Sequence, residues 1–199
     1  AGRRVRVLDL LDADDRPSAV ELVQGDIRDL DAVRAACAGV RDVYHNVAQV
    51  PVAKDRNLFW TVNQGGTENL LRAAADAGVA KIVHTSSSAI FGVPQRNPVD
   101  ETLAPVPGEA YGAAKLAAEE IVRRWVRERG LDVTIIRPRT ILGHGRLGIF
   151  QILFDWVEEG RGIPVLGRGD NVYQFVHADD LADACIAAAA RAGADVYNI

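Results

Sequence analysis

The chain has 199 residues, of which 48% are hydrophobic, 25% charged and 6% aromatic, with a formal net charge of −4. That mixture suits one core of ordinary domain size and offers no overall positive field to a nucleic acid or an anionic membrane. No apolar run approaches the ~20 residues that cross a bilayer, and no signal-peptide pattern opens the chain.

Residues 5–9 alternate between apolar and polar and predict a strand. Residues 19–24 predict a second, stopped by Gly25. Residues 29–38 have helical spacing, with Asp29 as N-cap and Gly39 as stop. A third strand is expected over 40–47, then a long helix over 56–77 closed by Gly78. Residues 81–86 form a short apolar strand that runs into three serines. Residues 109–129 are helical up to Gly130, and the β-branched run 131–137 reads as a buried strand ended by Pro138. A helix over 148–159, short strands over 163–166 and 173–176, an alanine-rich helix over 179–191 and a last strand over 195–199 complete the pattern. Strands alternating with helices, several apolar on both faces, predict an α/β fold with a parallel sheet covered on both sides. Cys37 and Cys185 lie far apart in helical contexts and read as reduced core thiols of a cytoplasmic protein.

Tyr111 and Lys115 stand four residues apart in a predicted helix and so share a face. A free tyrosine titrates near ~10 and keeps its proton at neutral pH. A neighbouring cation favours phenolate. Ser87 supplies a hydroxyl to the oxygen that gains or loses the proton. The three form a proton-transfer device for interconverting an alcohol and a carbonyl; the bland alternative is a Tyr–Lys pair on a solvated helix face.

In open parallel sheets ligands bind beyond the carboxyl ends of the strands, and further candidates fall there. Asp9 can accept hydrogen bonds from a ribose diol and would repel a 2′-phosphate, which favours NAD over NADP; it is equally a turn former. Asp26 can meet an adenine amino group while Ile27 covers the ring, or the segment is a helix cap. Small Ala48 lets a dinucleotide backbone pass close. His45 is a packed strand residue or a ligand, and His144 a turn residue or a substrate contact. The four histidines, His45, His84, His144 and His177, lack metal-ligand spacing. The serines lack the glycine-flanked elbow of a hydrolase. Arg123, Arg124, Arg127 and Arg129 complement a helix C-terminus, or bind phosphate.

Asp9, residues 25–29, residues 63–69, the Ser87 segment ending at Gly92, Tyr111-Gly-Ala-Ala-Lys115, Arg137-Pro138 and residues 175–181 occur in an order that resembles the extended short-chain dehydrogenase/reductase family, often labelled NAD-dependent epimerase/dehydratase. The resemblance implies a Rossmann-like, doubly wound parallel sheet over residues 1–142, resumed at 176–193. It also implies part of a small substrate-binding lobe at 143–175 and the start of a further lobe segment at 194–199. Tyr111 becomes the general acid/base, Lys115 the group that holds the nicotinamide ribose and lowers the tyrosine pKa, and Ser87 the residue that orients the substrate oxygen, with Ser88 beside it. Pro138 lines the nicotinamide end. Asn63 flanks the site or is a buried amide satisfied by backbone.

The implied partners are NAD, a small molecule such as a nucleotide sugar, and a second copy of the chain. The dimer would pack through the helices at 56–77 and 109–129, although Ala113, Ala114, Ala117 and Ala118 serve equally for packing on the sheet. Two departures stand out. The family's opening strand and glycine-rich phosphate loop are missing, and the chain has no Met, so it reads as a fragment of low cofactor affinity whose lobe continues past Ile199. Sugar-nucleotide members also carry an arginine where Tyr173 stands here. Arg146, Arg161 or Arg168 would have to replace it at the substrate diphosphate. The expected function is an NAD-dependent epimerase or dehydratase that transiently oxidises a nucleotide-sugar-like alcohol. The alternatives are a ketone or alcohol oxidoreductase of hydroxysteroid or dihydroflavonol type, and a non-catalytic dinucleotide-binding regulator.

Overall fold

The computed structural model describes residues 3–50, 55–144, 150–165, 167–170 and 172–199. β1 (Val5–Asp9) and β2 (Val20–Gln24) pair in parallel, with Asp9 opposite Gln24. The Asp29 carboxylate accepts the backbone N–H groups of Asp31 and Ala32 and caps α1 (Leu30–Cys37), as Asp does at a helix start. Four parallel strands follow in the order β3 (Asp42–His45), β4 (Lys81–Thr85), β5 (Val133–Arg137) and β8 (Val196–Asn198). A π-helical turn, Phe59–Gly65, and α2 (Gly66–Ala77) connect β3 to β4. A 3-10 turn, Ser88–Phe91, and α3 (Ala110–Arg129) connect β4 to β5. β6 (Thr140–Leu142) pairs in parallel with β7 (Phe175–His177), and α4 (Gln151–Glu158) and α5 (Ala178–Ala189) complete the described elements.

Every strand pairing is parallel, as strands apolar on both faces require. Ile82 and Ile135 face Leu71, Val122 and Trp125 on one side. Val83 and Ile136 face Cys185 and Ala188 on the other. Alternate residues of the same strands thus meet helices on both faces. Among the described residues the strands form three sheets rather than one, because β1 and β3 share no ladder and β6 and β7 pair only with each other.

Three further differences from expectation are local. β8 adds to the edge of the four-stranded sheet beside β5, whereas its residues were expected to begin a lobe segment. No strand forms over described residues 163–165; Leu166 lies outside them. The strand expected over 173–176 is displaced to Phe175–His177, where its partner β6 begins at Thr140 opposite Phe175. Ala114 and Ala118 are fully buried by the chain itself, and Cys37 and Cys185 are buried free thiols. No described helix is long and apolar enough to cross a membrane.

His45 and His84 sit opposite each other on β3 and β4, ring centroids 5.0 Å apart. The His45 Nε2 lies 2.9 Å from the Thr67 hydroxyl, and neither ring nitrogen of His84 has a partner among the described residues. Burial, reinforced by the positive charge of Lys115, lowers His45 to about 3 and His84 well below its ordinary value. The folded state therefore keeps both rings neutral, while the unfolded chain takes up protons below the ordinary value near ~6.5. Stability is intact above that value and lost as pH falls below it, by about 2 kcal/mol per ring on reaching pH ~5. His84→Leu should remove about one ring's share of the drop in urea-unfolding free energy between pH ~7 and pH ~5. An undiminished drop in the variant would contradict this account.

Candidate active site

The helix α3 places Tyr111, Lys115 and Glu119 at successive steps of four along one stripe. Two glycines bring the start of that helix onto the serine segment. A Cβ on Gly112 would collide with the carbonyl oxygen of Ala89, and one on Gly92, at φ +56°, would collide with the Val106 carbonyl oxygen and the Gly108 nitrogen. Ser87 is extended, and its Oγ accepts the Ala89 N–H at 3.1 Å.

Burial raises the Tyr111 pKa, and the neighbouring Ser87 side chain draws it back down. Phe59 meets the Tyr111 ring edge-on with centroids 6.1 Å apart. Lys115 is 2% exposed and donates to the Thr85 carbonyl at 2.6 Å. Burial lowers its pKa to about 8 against the raising effect of Glu119. The ammonium expected to lower the phenol is thus turned to a backbone carbonyl, and desolvation is the larger influence on Tyr111.

Beneath these residues lies a pair of charges sealed from water. Glu119 is 0% exposed and Arg137 2%. Arg137 donates through Nε at 2.8 Å and Nη2 at 2.7 Å to the two oxygens of Glu119, and its guanidinium carbon lies 5.3 Å from the Phe91 ring centroid. This pair is internally neutral.

The exits of β4 and β5 are tied together by Ser88, whose N–H donates to the Pro138 carbonyl at 3.0 Å. Pro138 is buried. Arg139 Nη1 reaches the Ser88 Oγ at 3.4 Å, and its guanidinium carbon sits 5.1 Å from the Tyr173 ring centroid. The Thr140 hydroxyl donates to the Tyr173 hydroxyl at 3.0 Å. Arg161 and Arg168, considered above as replacements for an arginine at position 173, pair with Glu159 and Asp170. Arg146 lies outside the described residues. His144 is an exposed turn residue, and His45 is a packed strand residue.

A model of the NAD dependent epimerase/dehydratase family matches residues 1–199. The chain belongs to that family. It is 54% identical over 198 residues to the uncharacterized protein y4nG of Sinorhizobium fredii, an alignment covering 100% of this chain and 50% of that protein. It is 33% identical over 183 residues to the UDP-glucose 4-epimerase of Mycolicibacterium smegmatis, covering 87% of this chain and 58% of the relative. The crystal structure of the Thermus thermophilus UDP-glucose 4-epimerase in complex with NAD superposes with a TM-score of 0.85 at 30% identity, over 98% of this chain and 69% of that one. The chain spans about half the length of the curated relatives it matches.

A member of this family needs a seat for a dinucleotide, and the residues at the strand exits fit one unevenly. The exposed Asp9 carboxylate accepts only the Leu11 N–H at 3.3 Å among the described residues, so it is open to a ribose diol. Ala48 lies in a segment clamped by Asn63, which is buried and uses its whole amide on Gln49: Oδ1 accepts the Gln49 N–H at 2.7 Å and Nδ2 donates to its carbonyl at 3.2 Å. Asn63 is therefore the backbone-satisfied amide of the two readings above.

Asp26 and Ile27 both have partners within the chain. Asp26 is taken by Arg28, whose Nε lies 3.0 and 2.9 Å from its two oxygens, and this hydrogen bonding lowers its pKa. Ile27 is 5% exposed and packs into the core of α1 and α2. Sequence reasoning missed Phe59, Glu119, Arg139 and Thr140. Only Glu119 left a signal, as the next step on the Tyr111–Lys115 stripe.

Proposed function

We propose that the full-length protein is an NAD-dependent epimerase or dehydratase that transiently oxidises an alcohol on a nucleotide-sugar-like substrate. The observation that carries this reading is the half-buried Tyr111 phenol, beside the Ser87 side chain and one helical turn from buried Lys115. Bound NAD would supply an acceptor for the hydride and a positive charge near the phenol. Asp9, Ala48, Lys115 and Pro138 would hold it, and the Asp9 charge would disfavour a 2′-phosphate.

The chain's own residues handle the proton. Ser87 holds the substrate oxygen beside Tyr111. Tyr111 accepts the alcohol proton and returns it when the carbonyl is reduced. Burial opposes the phenolate, so this transfer relies on positive charge from Lys115 and the cofactor. A homodimer would pack through the outer faces of α2 and α3, where Trp60 is 41% exposed at the preceding turn.

A second reading, a ketone or alcohol oxidoreductase, is favoured by the uncharged Tyr173. Full-length protein given NAD and UDP-glucose separates the two. The epimerase/dehydratase reading expects an altered sugar with no net NADH. Substrate-dependent accumulation of NADH would favour the oxidoreductase.

A further inference from the structure

A nucleoside diphosphate carries at least two negative charges, and hydroxyl groups alone do not neutralise them. At the mouth formed by the exits of β4 and β5, Arg137 is consumed by Glu119. Arg161 and Arg168 pair with Glu159 and Asp170, and Tyr173 is uncharged. We propose that Arg139 is the residue that grips the diphosphate of the substrate, its guanidinium laid against the Tyr173 ring. This rests on the nucleotide-sugar reading above and assigns the anion subsite that reading requires.

Three features support a built subsite. First, Arg139 is fixed at its base, because its backbone N–H donates to the Ile199 carbonyl at 3.0 Å. Second, the Tyr173 ring, 5.1 Å from the guanidinium carbon, supports the face of the cation. Stacking of this kind leaves the edge donors free for bidentate contacts with phosphate oxygens. Third, the only side-chain hydrogen bond of Arg139 among the described residues goes to Ser88 Oγ at 3.4 Å, and it has no carboxylate partner among them. The hydroxyls of Ser88 and Tyr173, whose side chains meet the guanidinium, add neutral donors. Ser88 follows Ser87 directly, which sets the anion subsite beside the proton-transfer residues. The charge thus enters from the β5 exit and stacks on the tyrosine that stands where a charge was expected.

The test uses full-length protein loaded with NAD, with UDP as the binding probe and UDP-glucose as the substrate. Arg139→Met should weaken UDP binding by about 10- to 100-fold, the usual worth of charge-assisted hydrogen bonds. It should raise KM for UDP-glucose while kcat and NAD affinity stay within a few-fold. Arg139→Lys should recover part of the loss, since it restores charge without the fork. Tyr173→Leu, which removes the stacking ring, should weaken UDP binding to a smaller degree. If wild type binds UDP and converts UDP-glucose while Arg139→Met does both equally well, this inference fails and the nucleotide-sugar reading stands. If wild type neither binds UDP nor converts UDP-glucose, that reading fails and the inference falls with it.

Discussion

Tyr111→Phe in the full-length protein should lower turnover by about 10²- to 10⁴-fold or more, the usual contribution of a positioned acid/base, and leave NAD affinity within a few-fold. The substitution removes one oxygen and little else. The ring stays against Phe59. Ser87 keeps its bond from the Ala89 N–H, and Lys115 keeps the Thr85 carbonyl. A loss of activity therefore reports on the phenol and not on a disturbed fold. Steady-state turnover beside NAD titration makes the measurement. Activity within a few-fold of wild type would show that another group moves the proton.

Glu119→Gln should be the most damaging single substitution to stability, costing about 3–5 kcal/mol. The change leaves the buried guanidinium of Arg137 with no counter-charge. Its Nη1 already lacks a partner among the described residues, so no spare acceptor is at hand to compensate. The double variant Glu119→Leu/Arg137→Met should recover most of the loss, because an apolar pair of similar size incurs no desolvation cost. Urea unfolding of the wild type, the single variant and the double variant makes the comparison. A single variant within about 1 kcal/mol of wild type would mean the pair is not buried as described. There is also a chemical consequence. The Glu119 carboxylate raises the Lys115 pKa while burial lowers it to about 8. Without the carboxylate the ammonium loses its proton at lower pH, and any alkaline limb of the activity profile that depends on it should move down.

How much of this was legible follows from the range of each cause. The alternation of β1, the Asp29 cap, the glycine stops after α2 and α3 and the four-residue step from Tyr111 to Lys115 are all settled within a few neighbours, and each stands where the residues indicated. β6 has only three residues and no room for a period. Its existence depends on β7, over thirty residues away in the chain. The place of β8 depends on β5 in the same way. Asp26 has a partner of local origin: Arg28, two residues on, reaches its carboxylate at close range. An apolar side chain beside a strand exit can face the core or a ligand, and Gly66 gives Ile27 a place in the core. Arg139 carried no pattern at all, and only the approach of Tyr173 from the segment before β7 gives it a setting.

The π-helical turn has one more consequence. Phe59 touches the phenol-bearing ring, and Asn63, about one turn on, grips the main chain beside Ala48. The turn works as a mechanical yoke: tilting it would carry Tyr111 and the Ala48 segment together, so the spacing between them is set by one short, stiff piece of backbone.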